Sequence, residues 1–137
     1  MPHRKITSNA HYNANQWAAS FAVQAMLSVA AGAFGAHALT GLVDTKALGW
    51  WSTASQYLMY HALAGLMVVA LAQYVTPIRS ILLYFCMGNG LFAGSLYVMA
   101  LTGYSFLGAI TPLGGLCYLV GWCLFAFRLW STRQDRI

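Results

Sequence analysis

The chain has 137 residues, of which 60% are hydrophobic and only 7% charged, and it carries a formal net charge of +5. A soluble domain has about 25% charged residues, so a chain this poor in charge cannot cover a water-facing surface, and a soluble single domain is excluded. The positive balance does not point to nucleic acid either: the basic residues sit at the ends of apolar runs, and no basic–aromatic stripe accompanies them.

The charges leave three charge-free runs, Ile6 to Val43, Ala47 to Ile78 and Ser80 to Phe127. A membrane-spanning helix takes about 20 apolar residues. The first two runs hold one span each, and the third holds two, broken near Gly103 to Pro112. The expectation is an all-α polytopic membrane protein, an antiparallel bundle of four transmembrane helices over residues 17–39, 54–75, 80–102 and 113–130. Four spans put both termini on one side with the loop between the second and third. That side collects Arg4, Lys5, Arg79, Arg128, Arg133 and Arg136, against Lys46 beside Asp44 on the other. The positive-inside rule makes the first side cytoplasmic, with residues 1–16 and 131–137 as polar tails. No cleavable signal peptide is expected, because the first apolar run starts late and is too long for an h-region.

In the N-terminal tail, His3 and His11 lie eight apart without other ligand types nearby, so no metal site is expected there. Helix one begins at Trp17, an interface residue, and ends in Gly32-Ala33-Phe34-Gly35-Ala36-His37-Ala38-Leu39. Gln24, Ser28, Ala31 and Gly35 share one stripe, and small and polar residues on a lipid-soluble helix face another helix. His37 points about half a turn away from that stripe. Asp44 or Thr45 caps the second helix, whose Trp50-Trp51 pair is expected to anchor at the interface. Its packing stripe runs through Tyr57 and His61 with Gly65 beside it, and Thr76-Pro77 stops it. Counting back from Pro77 sets His61 in the outer leaflet, level with His37.

Helix three carries Gly88-Asn89-Gly90 near the midplane and a Gly90-x-x-x-Gly94 packing signal that leads to Tyr97. Asn89 needs hydrogen-bond partners where water is absent, so it should face the bundle interior or a second subunit. Helix four starts near Pro112 and presents Gly114, Cys117, Gly121 and Phe125 on one side. Trp130 and the Arg128 stem anchor its cytoplasmic end, with the guanidinium snorkelling to the headgroups. Cys86, Cys117 and Cys123 lack C-x-x-C spacing and read as free thiols packed as small apolar groups.

Five stretches together resemble one family: GAFGAHAL at Gly32 to Leu39, QYLMYHAL at Gln56 to Leu63, LFAGSLY at Leu91 to Tyr97, ITPLGG at Ile110 to Gly115, and Gly121-Trp122. They resemble the domain of unknown function 423 family, whose mitochondrial relatives are called transmembrane protein 256. The resemblance implies a small four-helix protein of the bacterial inner membrane. It carries no established activity, substrate or cofactor. The family often has Gly-Leu after the first histidine, where this chain has Ala38-Leu39.

The strongest candidate for chemistry is His37 with His61, with Tyr57 and Tyr97 as polar neighbours. Two neutral imidazoles facing a cavity could hold a metal or haem iron, with Cys117, Met99 and Met59 as the only further ligands at hand. They could equally lie on a proton or solute path. The plainer account has each histidine bonded to a backbone carbonyl or a hydroxyl across helices. No intramembrane carboxylate balances a metal charge, so no metal and no cofactor is expected. Gln24, Ser28 and Asn89 form a second polar set, explained by interhelical hydrogen bonds of about 1 kcal/mol. Ser95 lacks an acid–base partner in the sequence and reads as packing rather than as a nucleophile. The leading expectation is a non-enzymatic protein in the lipid bilayer that acts through helix–helix contacts, as a homo-oligomer or as a subunit of a larger membrane complex. The alternative is a binder of a small ligand, metal or haem near His37 and His61.

Overall fold

The computed structural model describes the backbone of residues 4–134 and the side chains of residues 14–131. His3 and residues 135–137 lie outside the described residues, as do the side chains of His11 and Arg133. Everything described is helix, turn or connection. The elements are α1 (Arg4–His37), α2 (Thr45–Ala70), α3 (Arg79–Gly88), a π turn (Asn89–Ala93), α4 (Gly94–Thr102), a 3₁₀ turn (Ser105–Ala109) and α5 (Thr111–Gln134). α3, the π turn and α4 run on as one rod, so the long elements number four.

Three of these rods are long and apolar enough to cross a membrane: Ala14–His37, Arg79–Thr102 and Ser105–Ser131. α2 is long enough at 26 residues, but it falls short on apolarity because Ser52, Thr53, Ser55, Gln56 and His61 dilute it. The boundaries also move. α1 begins at Arg4 rather than Trp17, so residues 4–16 continue the first helix. α2 ends at Ala70, five residues before the expected stop. Its start is set by Asp44, whose carboxylate accepts the Ala47 N–H at 2.7 Å.

Contact order fixes the mutual directions of the rods. Along α1 and α2, Gly35 meets Trp51, Ser28 meets Ser55 and Phe21 meets Gly65, so one number falls as the other rises. Phe92 against Gly114, Gly88 against Tyr118 and Phe85 against Gly121 give the same antiparallel register for the third and fourth rods. α2 is the central rod, packed on α1 along one side and on α4 along another, while α3 packs on α5. The π turn makes that exchange of neighbours. One extra residue in a turn rotates the helix beyond it, so a single rod serves α5 with its first half and α2 with its second.

Apolar packing fills both ends. Phe21, Val68, Ile81, Leu82, Phe85 and Phe125 pack in the half of the bundle that holds Val75. Leu39, Ala47, Trp51 and Ala100 close the opposite end. Trp51 is therefore a core residue and not an interface anchor: its indole N–H donates to the Ala31 carbonyl at 2.7 Å and its ring lies edge-on to Tyr97 at 4.6 Å. Arg128 likewise turns inward, donating to the Pro77 carbonyl and to Ser80 Oγ, instead of reaching for headgroups.

Candidate functional site

The polar residues on the first-rod stripe all find partners across helices. Ser28 Oγ donates to the Ser55 carbonyl at 2.7 Å, and Ser55 Oγ shares a hydrogen bond of 2.9 Å with Tyr97 OH. Deeper in the bundle, Asn89 Nδ2 donates to Gln24 Oε1 at 2.6 Å, while Asn89 Oδ1 accepts from Tyr118 OH at 2.8 Å. Gln24 spends its own N–H groups on Ser20 and on Cys86 Sγ at 3.6 Å. Asn89 stands at the first position of the π turn and is buried.

Tyr118 carries this chain of bonds on to His61. The two rings lie face to face, with centroids 3.4 Å apart and planes 8° from parallel. His61 is 5% exposed. Its Nδ1 lies 2.8 Å from the Tyr57 carbonyl, and its Nε2 lies 3.1 Å from Trp122 Nε1. A carbonyl can only accept and an indole N–H can only donate. Nδ1 therefore carries the proton, Nε2 offers its lone pair to Trp122, and the imidazole is neutral with both nitrogens engaged. Gln24, Asn89, Tyr118, His61 and Trp122 thus link all four rods through hydrogen bonds and one stacked pair.

His37 does not join this cluster. It is exposed and ends α1, next to the connection that leads to Thr45. His61 lies 16 residues beyond Thr45, about 24 Å along the axis of α2. The expectation that the two share one depth fails because α2 ends at Ala70, five residues before the stop from which the depth was counted. Tyr57 belongs to the His61 cluster, with its ring 4.7 Å from Phe92, whereas Tyr97 belongs to the Trp51–Ser55 end. Replacing His37 with alanine should leave thermal stability within about 0.5 kcal/mol of the wild type in detergent, since its side chain is exposed.

The glycines divide in two. A Cβ on Gly35 would meet the Trp51 ring at 2.4 Å, on Gly65 the Phe21 ring at 2.4 Å, and on Gly121 the Phe85 ring at 2.7 Å. Gly114 is tighter still, because its Cβ would stand 2.3 Å from the Phe92 backbone nitrogen. Among the described residues, nothing lies within 4 Å of that position on Gly32, Gly90 or Gly94. Gly88, whose packing role its sequence context does not mark, receives the Tyr118 ring. Ser95 Oγ donates to the Phe92 carbonyl at 3.0 Å and is bonded to Thr111 Oγ1 at 2.7 Å, tying α4 to the start of α5.

Sequence reasoning named Trp122 only within the Gly121-Trp122 motif and passed over Tyr118. The signal was present: Tyr118 falls four residues after Gly114 and three before Gly121, on the packing stripe of α5. Beside the cluster, α2 and α5 meet through side chains without close backbone approach. They leave a cleft of about 760 Å³ whose walls include Tyr57, Tyr60, Phe92, Tyr118, Leu119 and Trp122.

Comparison with known proteins agrees with this small, all-helical chain. The family described as "Protein of unknown function (DUF423)" matches residues 31–115. The UPF0382 membrane protein YwdK of Bacillus subtilis is 46% identical, over 75% of this chain and 86% of its own length. A UPF0382 membrane protein of Haemophilus influenzae is 35% identical over 88% of this chain and 98% of its own. The UPF0382 inner membrane protein YgdD of Escherichia coli is 37% identical over 75% and 80%. No solved structure matches the chain.

Proposed function

Because the chain belongs to the DUF423 family of small membrane proteins, we propose that it crosses the inner membrane four times, termini inside, and acts without catalysis through the faces of its helices. The observation that carries this reading is the unfilled groove on the third rod. Among the described residues, nothing stands within 4 Å of a Cβ built on Gly90 or Gly94, four residues apart, and the exposed side chains of Met87 and Val98 flank them. Small residues in the middle of a lipid-soluble helix let a second helix come close. The occupant is a second copy or another subunit of a membrane complex.

Three further observations support parts of the reading. The residues that make α2 less apolar than its neighbours include Ser55 and His61, both covered by adjacent rods, so α2 can cross the bilayer inside the bundle. Arg79 and Arg128 share one end, and Lys46 with Asp44 lies at the other, which suits cytoplasmic termini. The Ser95 hydroxyl and both His61 nitrogens are committed to structural partners, which suits a protein without a nucleophile.

Cysteine placed at Met87 should crosslink to a neighbouring chain in native membranes. Gly90→Leu and Gly94→Leu should cut that crosslink about tenfold while leaving the melting temperature unchanged, a loss of about 1.4 kcal/mol of association. A crosslink of unaltered yield in both variants would sink the proposal. Mass spectrometry of the wild-type product separates a copy of this chain from a different subunit.

A further inference from the structure

We propose that the cleft between α2 and α5 binds a membrane-dissolved molecule with a flat, oxygen-bearing ring of the quinone type, its alkyl tail lying along the bundle surface. The inference rests on α2 crossing the bilayer, and it stands apart from the groove at Gly90 and Gly94. Three features of the cleft carry it.

The first is size and lining. About 760 Å³ falls within the range of about 300–1,000 Å³ typical of sites for small molecules. The walls are chiefly aromatic: the rings of Tyr57, Tyr60, Phe92 and Trp122 line the slot in front of the stacked His61–Tyr118 pair. A planar ring can continue such a stack by offset or edge contact.

The second is a pair of hydroxyls with no protein partner. Among the described residues, neither Tyr57 OH nor Tyr60 OH makes a hydrogen bond, whereas Tyr97 OH and Tyr118 OH both do. The Tyr57 and Tyr60 rings lie 5.8 Å apart, which places both phenols at one rim of the cleft. They stand about 18 Å and 22 Å along a helix about 39 Å long, near its middle. At that depth a bilayer offers no water, and a polar group there needs a partner within the protein or on a ligand. Phenol O–H groups donate well to carbonyl oxygens. A hydrocarbon chain alone would leave both hydroxyls unsatisfied.

The third is access. Tyr60 is 56% exposed and Leu119 62% exposed, so the cleft opens sideways, toward the lipid and not toward either aqueous end. A ligand that reaches it must dissolve in the membrane. His61 takes no part in binding through its nitrogens, which face Tyr57 and Trp122; it serves as an aromatic surface at the back of the slot.

The test uses full-length protein in phospholipid nanodiscs, with decylubiquinone as the probe and quenching of tryptophan fluorescence as the readout. Saturable quenching is expected with a Kd on the order of 10 μM. Tyr57→Phe with Tyr60→Phe should weaken it by about tenfold or more, since two hydrogen bonds are lost, and leave the melting temperature unchanged. Leu119→Trp, which fills the slot and keeps both hydroxyls, should abolish saturation. Decylbenzene, which keeps the ring and tail without the oxygens, should compete about tenfold less well. Equal competition by decylbenzene would mean that the cleft holds acyl chains only and would overturn the proposal. Non-saturable quenching, or quenching that the two phenylalanines leave unaltered, would overturn it as well.

Discussion

Gly114→Leu should destabilise the bundle more than any other single glycine substitution. The added side chain begins 2.3 Å from the Phe92 amide nitrogen and 2.8 Å from its Cα. Those are backbone atoms of the rod that α5 packs against, so no rotamer change relieves the clash. The rods must separate, and the Ser95–Thr111 bond and the Gly88–Tyr118 contact lie beside the same seam. Over-packing a well-filled interior costs about 1–3 kcal/mol when side chains can adjust; with backbone as the obstacle, a loss of about 3 kcal/mol or more is expected. Unfolding in detergent, followed by tryptophan fluorescence, measures it. Gly90→Leu is the matched control, because the same change there enters open space. Phe92→Ala should not rescue Gly114→Leu, since the side chain is not what blocks it. A Gly114→Leu protein that melts with the wild type would mean that α5 does not lie against the π turn.

Asn89→Leu should cost about 2 kcal/mol. Leucine approximates the volume but leaves Gln24 Oε1 without its donor and Tyr118 OH without its acceptor, both inside the bundle. Interhelical hydrogen bonds in membranes are worth about 0.6–2 kcal/mol, and an orphaned buried group costs about 1–3 kcal/mol. Tyr118→Phe, which removes one bond and keeps the stack on His61, should cost about half as much. Gln24→Leu combined with Asn89→Leu should be less damaging than the two single losses added together, because the second change deletes the group that the first one orphaned. Additivity across that cycle would show that Gln24 and Asn89 do not interact.

Composition and the spacing of charges were enough to read an all-helical chain with four long helices, because lipid leaves a chain so few alternatives. The stripe Gln24, Ser28, Ala31 and Gly35 was legible for the same reason, and each of those residues meets a neighbouring rod. Depth was less legible. It was counted from a helix end that lies five residues earlier, and this separated His61 from His37. Gly32 and Gly35 look alike in sequence, yet only Gly35 faces the Trp51 ring; helical phase alone does not say where a neighbour's large side chain will fall. The π turn left no mark of its own, since Gly88-Asn89-Gly90 reads equally well in an ordinary helix. Trp50-Trp51 looked like an interface pair because tryptophan favours that zone, and nothing local told the buried one from its neighbour.

The chain of bonds through Tyr118 sets an order in time. α1, α2 and the third rod leave the ribosome before α5 does, and until α5 arrives Asn89 Oδ1 has no donor, His61 Nε2 has no indole to face, and the notch at Gly88 stands empty. The first three rods alone would hold these groups with only part of the partners they have in the complete bundle. The last helix made is thus the one that locks the other three. A chain that ends before residue 118 lacks Tyr118 and Trp122, and with them the bonds that reach Asn89 and His61.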